Sequence, residues 1–217
     1  RPGESTDAPS QIVPGSVLEA FSGGSTRVAV MTGPDTVQEG NSGQTSLEYE
    51  VLVYGNPVTS VSVDYEAIGV TATSGSDYDV ASGTLSFAAG EVSKTFSVSV
   101  NGDEYDESDE AFDVTLSSPS GLLVATPEIE CTIVDDDTAA IIVTPVTTDT
   151  DETGLTASFT VVLTSKPTGS VSIPVQSSDT SEGTIPVTDI TFTDTDWNVV
   201  QTIIVTGEDD AAIDGPV

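Results

Sequence analysis

The chain contains no histidine, and Cys131 is its only cysteine. Without histidine there is no Ser-His-Asp or Cys-His catalysis, and the usual zinc and haem ligands are missing. One cysteine cannot form an internal disulfide. Basic residues are almost absent as well: Lys+Arg number 4 against 36 Asp+Glu, a formal net charge of -32. Contacts to nucleic acid or anionic lipid need Lys and Arg, so neither is an expected partner. No run of about 18 apolar residues exists, so no membrane insertion is expected. Aromatics are only 6% of the chain. That leaves little to build the aromatic-lined cleft a glycosidase or lectin would need, and no enzymatic activity is expected.

What is present is a strand-forming pattern. The 36% hydrophobic content is enough for real cores in one large domain or two ordinary modules. Residues 1–26 are rich in Gly, Pro and Ser and read as a linker or the end of a preceding unit, with Val17–Phe21 as a possible short strand. From Arg27 apolar residues alternate with polar ones, which puts successive side chains on opposite faces of a sheet. Val28–Val37 opens the series as strand A. Leu47–Val53, Val61–Tyr65, Leu85–Phe87, Phe96–Val100, Phe112–Leu116 and Ile129–Ile133 follow as B to G. Helical periodicity is absent. Seven short strands in about 110 residues predict an antiparallel sandwich over 27–137.

The pattern then restarts over 138–217. Ile141 and Val143, Phe159–Leu163, Val171–Val175, Ile190–Phe192 and Ile203–Val205 read as strands A to E of a second sandwich, short of its last two strands. Cys131 alternates with Ile129 and Ile133 and reads as a core side chain. Trp197 reads as packing at the rim.

The acids sort by loop. In an up-and-down succession of strands, alternate connections lie at one end of the sandwich. The A–B, C–D and E–F connections and the tail after G carry Glu39, then Asp77 and Asp79, then Asp103, Glu104, Asp106, Glu107, Asp109 and Glu110, then Asp135, Asp136 and Asp137. The other end is nearly free of acids. Carboxylates roughly 5 Å apart at an effective dielectric near 20 repel by about 3 kcal/mol per pair. No Lys or Arg in these loops offsets that. The expected compensator is a hard dication with oxygen ligands, and Ca²⁺, with 6–8 ligands in flexible geometry, suits loops better than Mg²⁺. The plainer alternative is a solvated acidic face. Asp194 and Asp196, in the second D–E loop, fall outside this sorting.

The motifs Val37-Gln38-Glu39-Gly40-Asn41, Ser74-Gly75-Ser76-Asp77-Tyr78, the stretch Ser82–Glu91, Asp109-Glu110-Ala111-Phe112 and Ile133-Val134-Asp135-Asp136-Asp137 resemble those of the Calx-beta family. That family comprises calcium-sensing modules of sodium/calcium exchangers and repeats of large bacterial surface proteins. The resemblance implies an immunoglobulin-like seven-stranded sandwich. It implies calcium ligands at Glu39, Asp77, Asp103, Glu107, Glu110, Asp135, Asp136 and Asp137, with Tyr105 covering the site. Gly102 stands where the exchanger modules carry a further Asp. By register, Glu152, Glu182, Asp210 and Asp214 would serve the second module.

Function is then expected to be that of a calcium-binding structural or adhesive repeat of a secreted or cell-surface protein. Calcium would stiffen the junction between neighbouring modules, opposite Lys166 of the second. Two alternatives stand beside it. One is a regulatory calcium sensor of a membrane transporter. The other is a filament subunit in which residues 12–30 of another copy of the chain complete the second module by strand addition.

Overall fold

The computed structural model describes residues 26–146 and 148–209; the possible strand at Val17–Phe21 lies outside them. All regular structure among the described residues is β, and no helix is found. By Cα proximity the chain falls into two compact units. Among described residues the first comprises 26–39, 44–102 and 109–134, and the second comprises 40–43, 103–108, 135–146 and 148–209.

The first unit is a two-sheet sandwich. One sheet has the order β6-β3-β1-β8 and the other β2-β9-β7-β4-β5. The strands are β1 (Val28–Thr32), β2 (Thr36–Gln38), β3 (Gly43–Tyr54), β4 (Val61–Gly69), β5 (Ser82–Phe87), β6 (Ser93–Gly102), β7 (Glu110–Ser120), β8 (Leu123–Val124) and β9 (Glu128–Val134). The alternation behaves as the pleat requires. Leu47, Tyr49, Val51 and Val53 of β3 are buried, as are Phe96, Val98 and Val100 of β6, facing Phe87, Phe112, Val114 and Cys131 from the other sheet. Tyr49 stacks on Phe96 with centroids 5.5 Å apart, and Tyr65 stacks on Phe96 at 4.0 Å. Burial pushes the Cys131 thiol above its ordinary range, which fits an inert core residue.

The opening strand differs from its expected form. Val28–Val37 is two strands in two sheets: β1 pairs antiparallel with β3, and β2 pairs parallel with β9. The break falls at Gly33-Pro34. Pro34 has no N–H to continue the β1 ladder, and a Cβ on Gly33 would overlap the Tyr49 ring. The Tyr49 hydroxyl donates to the Pro34 carbonyl at 3.2 Å, pinning the crossing. This switch carries the chain to the far sheet, and the Glu39 amide then bonds the Val134 carbonyl at 3.0 Å.

The second unit has β10 (Ile141–Thr144), β11 (Thr156–Leu163), β12 (Val171–Pro174), β13 (Gly183–Thr184), β14 (Asp189–Phe192) and β15 (Gln201–Gly207). Its sheets run β10-β11-β15-β13 and β12-β14. Val161, Leu163, Ile190, Phe192 and Ile203 form a small core, with Trp197 packed at its margin. Ile141, Ile142 and Val143 of β10 are all exposed.

Candidate metal centre

The alternating strands of the first unit bring separated segments to one pole. The C–D connection meets the start of β7 where Thr71 and Ala72 both donate to the Ala111 carbonyl, at 3.1 and 3.0 Å. It meets the end of β6 where the Asn101 amide donates to the Asp77 carbonyl at 2.9 Å. Glu110 opens β7 opposite Ile133 of β9, and Glu39 follows β2 beside Val134. Glu39, Asp77 and Glu110 are therefore all carried at this pole. The Asp77 carboxylate accepts from the Thr73 amide four residues back, closing a tight loop.

The remaining acids are brought together within the second unit. Asp136 Oδ1 accepts from the Gly40 amide at 2.8 Å, and Asp137 Oδ1 from Asn41 Nδ2 at 2.9 Å. Gly40 takes a φ of 79°, a left-handed turn that glycine makes without strain. Asp135 accepts from the Glu107 amide and from the Asp137 amide, both at 3.2 Å. Asp103 accepts from the Tyr105 amide at 2.8 Å. So the A–B loop, the E–F loop and the tail after β9 are laced by carboxylate to N–H bonds.

The charge at this place is crowded. The carboxyl of Asp137 is raised above its ordinary range, first by burial and then by Asp136, Asp135, Asp103 and Glu104. Among the described residues the second unit has one basic side chain, Lys166, in the turn between β11 and β12. Its backbone amide donates to the Glu104 carbonyl at 2.7 Å, and its Nζ lies 4.9 Å from the centre of the Tyr105 ring. Tyr105 thus receives a cation on its face, a role its position in the acidic loop did not announce.

Among the described residues no three His, Cys, Asp or Glu side chains form a ready metal cage. The donor set nonetheless fits a hard dication: it is all oxygen, and it is negative with one nearby base. A carboxylate offers about four lone-pair sites, so one N–H bond does not exhaust it. Asp103, Asp135 and Asp136, which accept from backbone N–H groups, and Asp137, which accepts from the Asn41 side chain, are the carboxylates that would hold such an ion.

In the second module, Glu182 lines a cavity of about 340 Å³ with Asp179, Thr150, Ser177 and Val205. Its carbonyl accepts from the Glu208 amide at 3.1 Å. Glu152 sits in the turn closed by Asp151, which accepts from Thr153 and Leu155. Asp210 and Asp214 lie outside the described residues. Asp196 has a plain local role: it accepts from the Thr193 amide and hydroxyl and caps the D–E turn.

The family model for the Calx-beta domain matches residues 27–144. The chain belongs to the Calx-beta family. A curated relative, the sodium/calcium exchanger Calx of Drosophila melanogaster, is 40% identical over 98 residues, covering 43% of this chain and 10% of the exchanger. The Calx-beta chain thus spans about a tenth of that relative's length. Among solved structures, the apo form of the Calx CBD1 domain is 34% identical over 50% of this chain and 98% of its own, with a TM-score of 0.44. The calcium binding domain CBD12 of CALX1.1 is 26% identical over 84% of this chain and 76% of its own, with a TM-score of 0.45. The curated relative is a sodium/calcium exchanger, the class of protein named in the transporter alternative; the expected secreted or adhesive role is not shown.

Proposed function

We propose that this Calx-beta chain is a non-catalytic, calcium-responsive regulatory module of a membrane transport protein. Two things support the reading. One is the sequence likeness to a sodium/calcium exchanger. The observation that carries it is geometric: carboxylate to N–H bonds lace the A–B loop, the E–F loop and the tail after β9 around Asp135, Asp136 and Asp137, and the raised Asp137 carboxyl is in line with that crowding.

Asp103, Asp135, Asp136 and Asp137, with Glu107, would hold the ion; Glu39, Asp77 and Glu110 are further candidate oxygen donors carried by the first unit. Bound calcium supplies two positive charges and a set of ligand bonds. The chain's own residues do the rest. The Gly40 and Asn41 donors hold the A–B loop to the Asp tail, and Asp135 bridges the E–F loop to that tail. Neutralising these acids tightens the loops, and that tightening is the signal a regulatory module transmits. Glu152 and Glu182, with Asp210 and Asp214, would form a weaker second site.

Calorimetric titration with calcium tests the reading. Saturable binding at about 10⁻⁷–10⁻⁵ M matches a sensor, and binding only at about 10⁻⁴–10⁻³ M matches an extracellular structural module. No binding heat, with an unchanged melting temperature in chelator, would remove calcium from the account. The stoichiometry reports whether the second set of acids is used.

A further inference from the structure

Asn101 ends β6 beside the loop that carries Asp77, and it belongs to no acidic motif. Three of its groups are engaged. Its backbone amide donates to the Asp77 carbonyl at 2.9 Å. Its side-chain Nδ2 donates to the Ser76 carbonyl at 2.9 Å. Its Oδ1 accepts from Gln44 Nε2 at 2.9 Å, and the same Gln44 nitrogen donates to Asp79 Oδ2 at 2.8 Å. Two neutral side chains from β3 and β6 thus clamp both flanks of Asp77.

The loop has other anchors: the Asp77 carboxylate and amide are both bonded to Thr73 within the loop, which shapes the loop but does not tie it to the sheets. Tyr78 is buried and stacks on Phe112 with centroids 4.9 Å apart. The Asp79 amide bonds the Ser99 carbonyl at 2.9 Å. Upstream, Gly75 takes a φ of 95°, and a Cβ there would meet nothing within 4 Å. So the loop is fixed to the core at Tyr78, and Gly75, whose amide bonds the Tyr78 carbonyl at 2.7 Å, turns it back at the surface. Between them, Ser76 and Asp77 are tied to the body of the sandwich by Asn101.

We infer that Asn101 is a positioning residue for the Asp77 carboxylate, and that Gln44 holds Asn101 in place. The inference rests on the calcium reading above for its consequence, though not for its geometry. A carboxamide suits this role because it donates to one neighbour and accepts from another at once. Its neutrality also avoids adding charge to an already crowded pole. Outer residues that orient metal ligands typically change affinity by about 10–100-fold when removed.

The test uses the whole chain. Calcium affinity is measured by calorimetry for the wild type, Asn101→Asp, Asn101→Ala and Gln44→Ala. Hydrogen exchange of the Asp77 and Asp79 amides is followed in chelator. Asn101→Asp is the discriminating variant. It adds a negative charge near a cation site, so a purely electrostatic role predicts tighter binding. A positioning role predicts weaker binding by about tenfold, because the carboxylate cannot donate to the Ser76 carbonyl. Asn101→Ala should weaken binding similarly, and Gln44→Ala less, in the same direction. Exchange at Asp77 should speed up in the metal-free Asn101 variants, while the urea midpoint stays close to wild type. Asn101→Asp that binds calcium as tightly as the wild type or tighter would overturn the assignment. So would unchanged exchange at Asp77. Wild type that binds no calcium would instead overturn the functional reading, and with it any role for Asn101 toward a metal.

Discussion

Asp137 and Asp151 are both loop aspartates, yet their surroundings move their carboxyl groups in opposite directions. Asp151 is lowered by its bonds from the Thr153 side chain and the Leu155 amide. Its contribution to stability is present above the ordinary value of 3.8 and is lost as pH falls through the lowered folded value. Asp137 is raised by burial and by its acidic neighbours. Its ionised form therefore destabilises the native state at neutral pH, and that penalty is relieved as pH falls through the raised value toward 3.8. In chelator, Asp137→Asn should raise the melting temperature by roughly 1–2 °C at pH 7, a modest gain fitting a part-exposed group. The gain should shrink as the pH approaches the raised value. With calcium present the sign should reverse, because a ligand has been removed. A thermal melt at both pH values, with and without calcium, checks this; Asp137→Asn that lowers the melting temperature in chelator would show that the carboxylate is stabilising there. Of the amides that organise these acids, Asn41 lies in a motif the sequence singled out, though without a role, and Gln44 and Asn101 were not legible. Gln44 and Asn101 carry no charge and obey no period, so nothing marks them until the loops are folded.

The elements were largely legible, because period-2 alternation is a direct consequence of the pleat. Strands B to G of the first module begin and end within a few residues of their observed spans, and the five strands of the second appear in order. Two features escaped. The short β8 and β13 are two-residue pairings, too brief to show a period. The opening strand was read as one because alternation continues on both sides of Gly33-Pro34, while the sheet it belongs to changes between them. Sheet membership is decided by partners distant in sequence, here β3 for the first half and β9 for the second. The switch depends on glycine at 33, since the Tyr49 ring occupies the space of any side chain. Gly33→Ala should cost about 2 kcal/mol by overpacking a well-filled core, read as a lower urea midpoint with an unchanged slope. A neutral Gly33→Ala would mean the ring has room to move and the crossing is not held there. Loop parity was legible within the first unit, where Glu39, Asp77 and Glu110 fall at one pole because alternate connections share an end. What parity could not give is which oxygen bonds which N–H.

At the scale of the whole molecule, a net charge of -32 acts on every equilibrium the chain enters. A compact state concentrates that charge more than an unfolded one, so self-repulsion works against folding. Lys94 pairs with Glu91 at 2.7 Å, but with 4 Lys+Arg against 36 Asp+Glu the chain does little to neutralise itself. Screening then has a definite consequence. At about 10 mM salt the Debye length is about 30 Å, longer than a sandwich is thick, and at about 150 mM it is about 8 Å. In chelator, raising sodium chloride across that range should raise the melting temperature by roughly 5 °C, since long-range repulsion is removed while short contacts are kept. Saturating calcium should flatten this response, because the densest part of the charge is already neutralised. Magnesium at the same ionic strength should behave as sodium chloride does, since it gives up its water for an irregular oxygen cage reluctantly. If magnesium raised the melting temperature as far as calcium, the divalent effect would be screening alone. The acidic pole would then be a solvated surface rather than a site.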